Sequence, residues 1–184
     1  MPLAGEGAET PPGLEKSPPS GDTLLTIPRV SRKRHRRIMP RKTPLPVVGW
    51  REWISLPDLG IQRIKAKVDT GARSSSLHAY DLRRFRKGGV SWVRFRIHPT
   101  QRDYRTTVEA EARIVGQRKV KTSGGHETLR WVIETNIVMG QERWPIEVTL
   151  IRRDAMGFRM LLGRQAMKDH FLVDPGRSYL TGKV

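Results

Sequence analysis

The chain has 184 residues, no cysteine, 36% hydrophobic residues and a formal net charge of +17. This excludes structural disulfides and thiol catalysis, suffices for one domain with its own core, and suits a reducing compartment. No run of about 18 apolar residues occurs and the N-terminus lacks the layout of a secretory signal, so the expectation is a cytoplasmic protein with no membrane contact.

Residues 1–46 read as a disordered tail. Proline breakers recur at Pro11-Pro12 and Pro18-Pro19, and apolar residues are few. The early acids Glu6, Glu9 and Glu15 argue against a mitochondrial transit peptide. The tail holds nine Lys or Arg against four Asp or Glu, so +5 of the +17 lies here and +12 lies beyond it. Its densest part, Ser31 to Arg37, is either an arm that contacts RNA or the ribosome or a solvated linker. A folded remainder at +12 should attract polyanions.

From Val47 to Val184 the pattern is that of one mainly β domain. Ile64 to Val68 reads as a strand that ends at Asp69-Thr70-Gly71-Ala72. Ser76 to Arg86 is expected to hold a turn or two of helix. Val93 to His98, Leu129 to Glu134 and Trp144 to Leu150 alternate with period two, the mark of half-buried strands. Val108 to Val115 is a less regular strand candidate. Between these runs lies Lys121-Thr122-Ser123-Gly124-Gly125-His126, a polar turn that is either an ordinary hairpin or a substrate-covering flap. Gly163 to His170 is expected to form one short helix. The whole is consistent with a small closed barrel.

Asp69-Thr70-Gly71 is the stretch that bears on chemistry. Alone it is either a surface turn or a rigid loop that presents a carboxylate. Gly71 would permit a backbone conformation that a Cβ obstructs, Thr70 offers a hydroxyl to brace the loop from a partner, and Ala72 is small enough for two loops to pack together. Far downstream, Met160-Leu161-Leu162-Gly163-Arg164 is an apolar run closed by glycine. Together these segments resemble the two halves of a retropepsin-like aspartic protease protomer. The resemblance implies a barrel of the acid-protease type, active as a two-fold homodimer. Asp69 would be the catalytic residue, with Ser123, Gly124, Gly125 and His126 on the flap. The triplet occurs once and no internal repeat supplies another, so a carboxylate dyad needs a second copy, whose two-fold axis would bring both Asp69 together.

The wider motif set is more specific. Lys67 to Ala79, Trp144 to Leu150, Met160 to Met167 and Phe171 to Pro175, in that order, resemble the bacterial family long labelled an ATP-dependent zinc protease and now grouped with retropepsin-like endopeptidases. Some of its members are associated with an ATP-grasp ligase that adds glutamates to a ribosomal protein, which implies acidic, glutamylated substrates. The old label does not fit these residues. His126-Glu127 lacks the second histidine of a zincin, the five histidines are scattered, and no phosphate loop occurs. No metal and no cofactor is therefore expected. Arg73 would bind a substrate carboxylate or tune Asp69, or else pair with an acid across the dimer. Arg164 resembles the retropepsin arginine that supports fold and dimer. His126 would contact substrate or lie exposed, and His78 reads as a packed histidine. The leading expectation is an aspartic-type peptidase; the alternative is a non-catalytic retropepsin-like module that binds ribosomal or acidic partners or RNA.

Overall fold

The computed structural model describes residues 44–101, 103–121, 125, 127–152 and 157–182. The basic cluster 31–37 and nearly all of the expected tail lie outside them, as do Ser123, Gly124 and His126 of the expected flap.

Eleven strands and one short helix make up the described fold: β1 Val47–Gly49, β2 Arg51–Leu56, β3 Ile61–Asp69, β4 Ser75–His78, β5 Tyr80–Lys87, β6 Val90–Ile97, β7 Val108–Lys121, β8 Glu127–Met139, β9 Glu142–Ile151, β10 Met160–Gly163, α1 Arg164–Met167 and β11 Leu172–Asp174. β2, β3, β10, β4, β9 and β8 pair in that order, and Ser55 of β2 pairs with Val138 of β8 to close the ring. The result is a closed six-stranded barrel, mainly β, with one short helix. Closure covers the edges of the six ring strands, which would otherwise invite pairing with other chains, and leaves β5 as the outer edge of the extension. Alternation along each strand sends one set of side chains inward. Ile54, Ile64, Leu77, Ile133, Ile137, Met160 and Leu162 are all fully buried and form the core.

β7, β6 and β5 continue the sheet outward from β8. β7 is the hinge piece: its first half pairs with β6 and its second half with β8, with a bulge between Ile114 and Gly116. β5 and β6 join through Gly88-Gly89, both at positive φ (57° and 77°), as a two-residue turn with Lys87 opposite Val90 demands.

The expected helical turn over Ser76 to Arg86 is not formed. Those residues are β4 and β5. Ser75 to His78 lie between two partner strands, β10 and β9, and those ladders override the weak local preference. The expected short helix at Gly163 to His170 is present but holds only Arg164–Met167. The less regular candidate at Val108 is a 14-residue strand.

β1 pairs in parallel with β11, bringing the start and end of the domain together. Glu52, fully buried, fastens that junction. Its carboxylate accepts from Gly49 N (2.6 Å), Leu180 N (2.9 Å), Thr181 N (3.3 Å) and Thr181 Oγ1 (2.9 Å). At the same end, Asp174 accepts from Arg177 Nε and Gly176 N, and these bonds hold its carboxyl below the usual carboxylate range.

Candidate active site

Asp69 is the last residue of β3, and the parallel ladder to β10 sets it beside Gly163. Its Oδ1 accepts from Gly71 N (3.1 Å) and Ala72 N (3.0 Å). The loop therefore wraps around one oxygen of the carboxylate, and no hydrogen bond among the described residues engages the other. Gly71 does not act through a left-handed φ. A Cβ there would press on Asp69 Oδ1 at 3.3 Å, so the glycine keeps the carboxylate in place by absence of bulk.

The loop is clamped from below. Arg164 Nη1 donates to the carbonyls of Thr70 (3.2 Å) and Gly71 (3.1 Å). The first turn of α1 adds Arg164 N to Ala72 O (2.9 Å) and Gln165 N to Arg73 O (3.2 Å). Gly163 lets the two segments meet: a Cβ would fall 2.5 Å from Ser74 C and 2.6 Å from Ser74 O. Ser75 closes the contact, accepting from Gly163 N through Oγ (3.1 Å), while its carbonyl accepts from Thr149 Oγ1 (3.0 Å).

A cleft of about 590 Å³ opens above this loop. Asp69 is the one acid among its lining residues, and Arg73, Arg118, Lys119, Lys121 and Arg130 are its cations. Arg118 reaches from β7 to the loop, donating to Ser74 Oγ (2.8 Å) and pairing with Glu147 (2.7 Å). That pair is partly solvated and worth at most about 1 kcal/mol, so it steers more than it stabilises. Arg73, Lys119 and Lys121 make no ion pair among the described residues. Low-dielectric walls focus the field of such a cation set on an entering anion.

The structure thus brings Asp69, Ala72 and Arg73 to one cleft, with Thr70, Gly71 and Arg164 behind or beside it. Gly125, exposed at φ +83°, is the described residue of the turn between β7 and β8. His78 is buried and its ring lies 6.5 Å from that of Tyr80. Sequence reasoning does not single out Arg118, Lys119, Lys121 or Arg130. Their clustering on both sides of the Gly-Gly turn is the signal that would have found them.

A family model described as "RimB-like: Retropepsin-like aspartic endopeptidase RimB" matches residues 47–184. The chain belongs to this RimB-like family. Two curated relatives named "Probable alpha-L-glutamate ligase" share its sequence: 45% identity over 138 residues in Desulfotalea psychrophila and 47% over 138 residues in Parasynechococcus marenigrum. Each match covers 75% of this chain but 30% of the relative, so the chain spans under a third of those proteins. The crystal structure of a Legionella pneumophila protein of unknown function (DUF785) superposes with a TM-score of 0.65 at 32% identity, covering 74% of this chain and 98% of that one. The RimB-like match begins where β1 begins, and it takes in the Asp69 loop, the cationic strands and the Gly163 clamp.

Proposed function

We propose that this chain is an aspartic-type endopeptidase that works as a homodimer and cleaves glutamate-rich peptide chains. The observation that carries the reading is the cleft itself: one carboxylate, held by its own loop, among five cations.

In the proposed dyad, two Asp69 carboxylates face each other across a two-fold axis. Like charges about 3 Å apart do not both ionise, so one stays protonated. The ionised one takes a proton from water as the water attacks the scissile carbonyl, and the protonated one donates to the carbonyl oxygen. As the C–N bond breaks, the carboxyl that took water's proton gives it to the leaving amine and the other takes back a proton from the gem-diol hydroxyl. A second copy has a surface to use. Behind the loop, Thr70, Arg73, Arg164, Met167, Phe171 and Val173 border an open hollow of about 450 Å³. Around the reacting bond, Arg73, Lys119 and Lys121 would hold side-chain carboxylates of the substrate. The relatives' name, "Probable alpha-L-glutamate ligase", supports that class, because it names glutamate as the group those proteins join.

The test compares an α-linked glutamate decapeptide with a neutral peptide of equal length. Wild type should hydrolyse the first much faster, and Asp69→Asn should remove turnover at unchanged thermal stability. General acid–base loss of this kind is about 10²- to 10⁴-fold. Sedimentation at assay concentration should show a dimer. A fully active monomer, or an active Asp69→Asn protein, refutes the dyad. Tight glutamate-peptide binding by wild type without any cleavage refutes the endopeptidase and leaves a binding module.

A further inference from the structure

The sheet face formed by β2 and β3 carries a chemistry that the peptidase reading does not use. Trp53 is half-buried on β2 with Lys65 opposite it in register, and Arg51 stands opposite Lys67. The Arg63 guanidinium lies 3.8 Å from the centre of the Trp53 ring, and Lys65 Nζ lies 4.9 Å from it. Tyr179 stacks on Trp53 at 5.9 Å with 24° between the planes. Arg51 sits over both Tyr179 (5.1 Å) and Trp50 (4.5 Å). The side chains therefore form a ladder in which aromatic planes and cations alternate.

On β5, β6 and β7 some arginines are matched by acids, Arg94 with Glu111 (2.6 Å), Arg96 with Glu109 (3.2 Å) and Arg83 with Asp81 (3.1 Å), while Arg84, Arg86 and Arg113 make no ion pair among the described residues. Arg63, Lys65 and Lys67 have no carboxylate partner among the described residues. The buried Trp144 shows the alternative fate of an indole in this fold: its Nε1 donates to Ala166 O at 2.8 Å and its ring is covered. No hydrogen bond from the Trp53 indole is present among the described residues.

We propose that this face docks single-stranded RNA. Bases stack on aromatic and guanidinium planes, and unpaired lysines and arginines take the phosphates. A duplex reader would need a helix or ribbon that fits a groove, whereas strands held in the barrel wall with stacked rings on their outer face suit splayed bases. An acidic peptide would be served by the cations alone and leaves the rings without a role, so RNA is the partner the ladder favours.

The test uses the full chain and a labelled oligouridine of twelve nucleotides, followed by fluorescence anisotropy at several salt concentrations. Trp53→Ala should weaken binding about tenfold, and Trp53→Phe, which keeps a ring, should restore most of it. The triple change Arg63→Gln, Lys65→Gln, Lys67→Gln should flatten the log K against log salt slope by about 2, at roughly 0.7 for each phosphate that is no longer neutralised. Binding of the glutamate decapeptide and its hydrolysis should be unchanged in all three variants, which separates this surface from the cleft. Melting curves confirm that each variant is folded. Should Trp53→Ala bind oligouridine as wild type does, the stacking surface is refuted. Should the triple variant lose the glutamate peptide as strongly as the RNA, the face is a general acidic-polymer site and the RNA assignment falls.

Discussion

Gly163→Ala is the substitution on which the account of the site is most exposed. The added Cβ would lie 2.5 Å from Ser74 C, 2.6 Å from Ser74 O and 2.9 Å from Ser75 N. Favourable carbon contacts lie near 3.5–4.0 Å, so the two backbones must separate by about 1 Å. All three atoms are main chain, so no rotamer change relieves the clash. Overpacking of this kind costs about 1–3 kcal/mol. Separation also stretches the bond from Gly163 N to Ser75 Oγ, now 3.1 Å, for about 1 kcal/mol more. Gly116→Ala is the control: nothing lies within 4 Å of a Cβ there, so stability should stay or rise by up to about 1 kcal/mol. Urea unfolding of both variants reads the difference. Activity should fall further than stability, because a shift of about 1 Å at a reacting group can cost about 10²-fold. Equal midpoints and equal turnover for the two variants would refute the claim that close approach at Gly163 holds the Asp69 loop.

Glu52→Gln should lower stability by about 1–3 kcal/mol, read by urea unfolding, because an amide in the carboxylate's place sets its own N–H group against donors at Gly49, Leu180 and Thr181. Peptide hydrolysis should persist in EDTA, since among the described residues no group of three His, Asp or Glu is placed to hold a metal; loss in EDTA with recovery on added zinc would overturn the aspartic mechanism. Removing residues 1–43 should leave the domain folded and reduce the salt slope of RNA binding, because the Ser31 to Arg37 cluster goes with them. The cut belongs before Pro44, since Pro46 O accepts from Leu172 N at 2.9 Å; an unchanged slope would make the cluster a solvated linker.

The strands at Val93, Leu129 and Trp144 were legible because one face of each is buried and alternation records it. Ser76 to Arg86 misled because its mixed apolar spacing fits no single period, and its conformation comes from β9, β10 and β6, which lie elsewhere in the sequence. At Gly71 the obstruction expected of a Cβ comes from crowding against Asp69 Oδ1 at 3.3 Å, and the φ there is not left-handed. Glu52 gave no signal at all, since an acid in an alternating strand reads as solvent-facing until its four donors are seen.

What the sequence determines by itself is local. The Asp69 carboxylate takes its hydrogen bonds from residues two and three places ahead, so this part of the loop's bonding is written locally. Tertiary structure decided the rest. Gly163 meets Ser74 and Ser75 across 88 or more residues of chain. Arg118, Lys119, Lys121 and Arg130 become a cleft around Asp69 because β7 and β8 are carried over the loop by the closed ring. Charge composition announced that cations were abundant. Strand pairing alone decided which were matched by acids on β5, β6 and β7 and which were set around the Asp69 cleft or against a tryptophan. Coulombic neutralisation depends on separation in space, and a sequence records only separation along the chain.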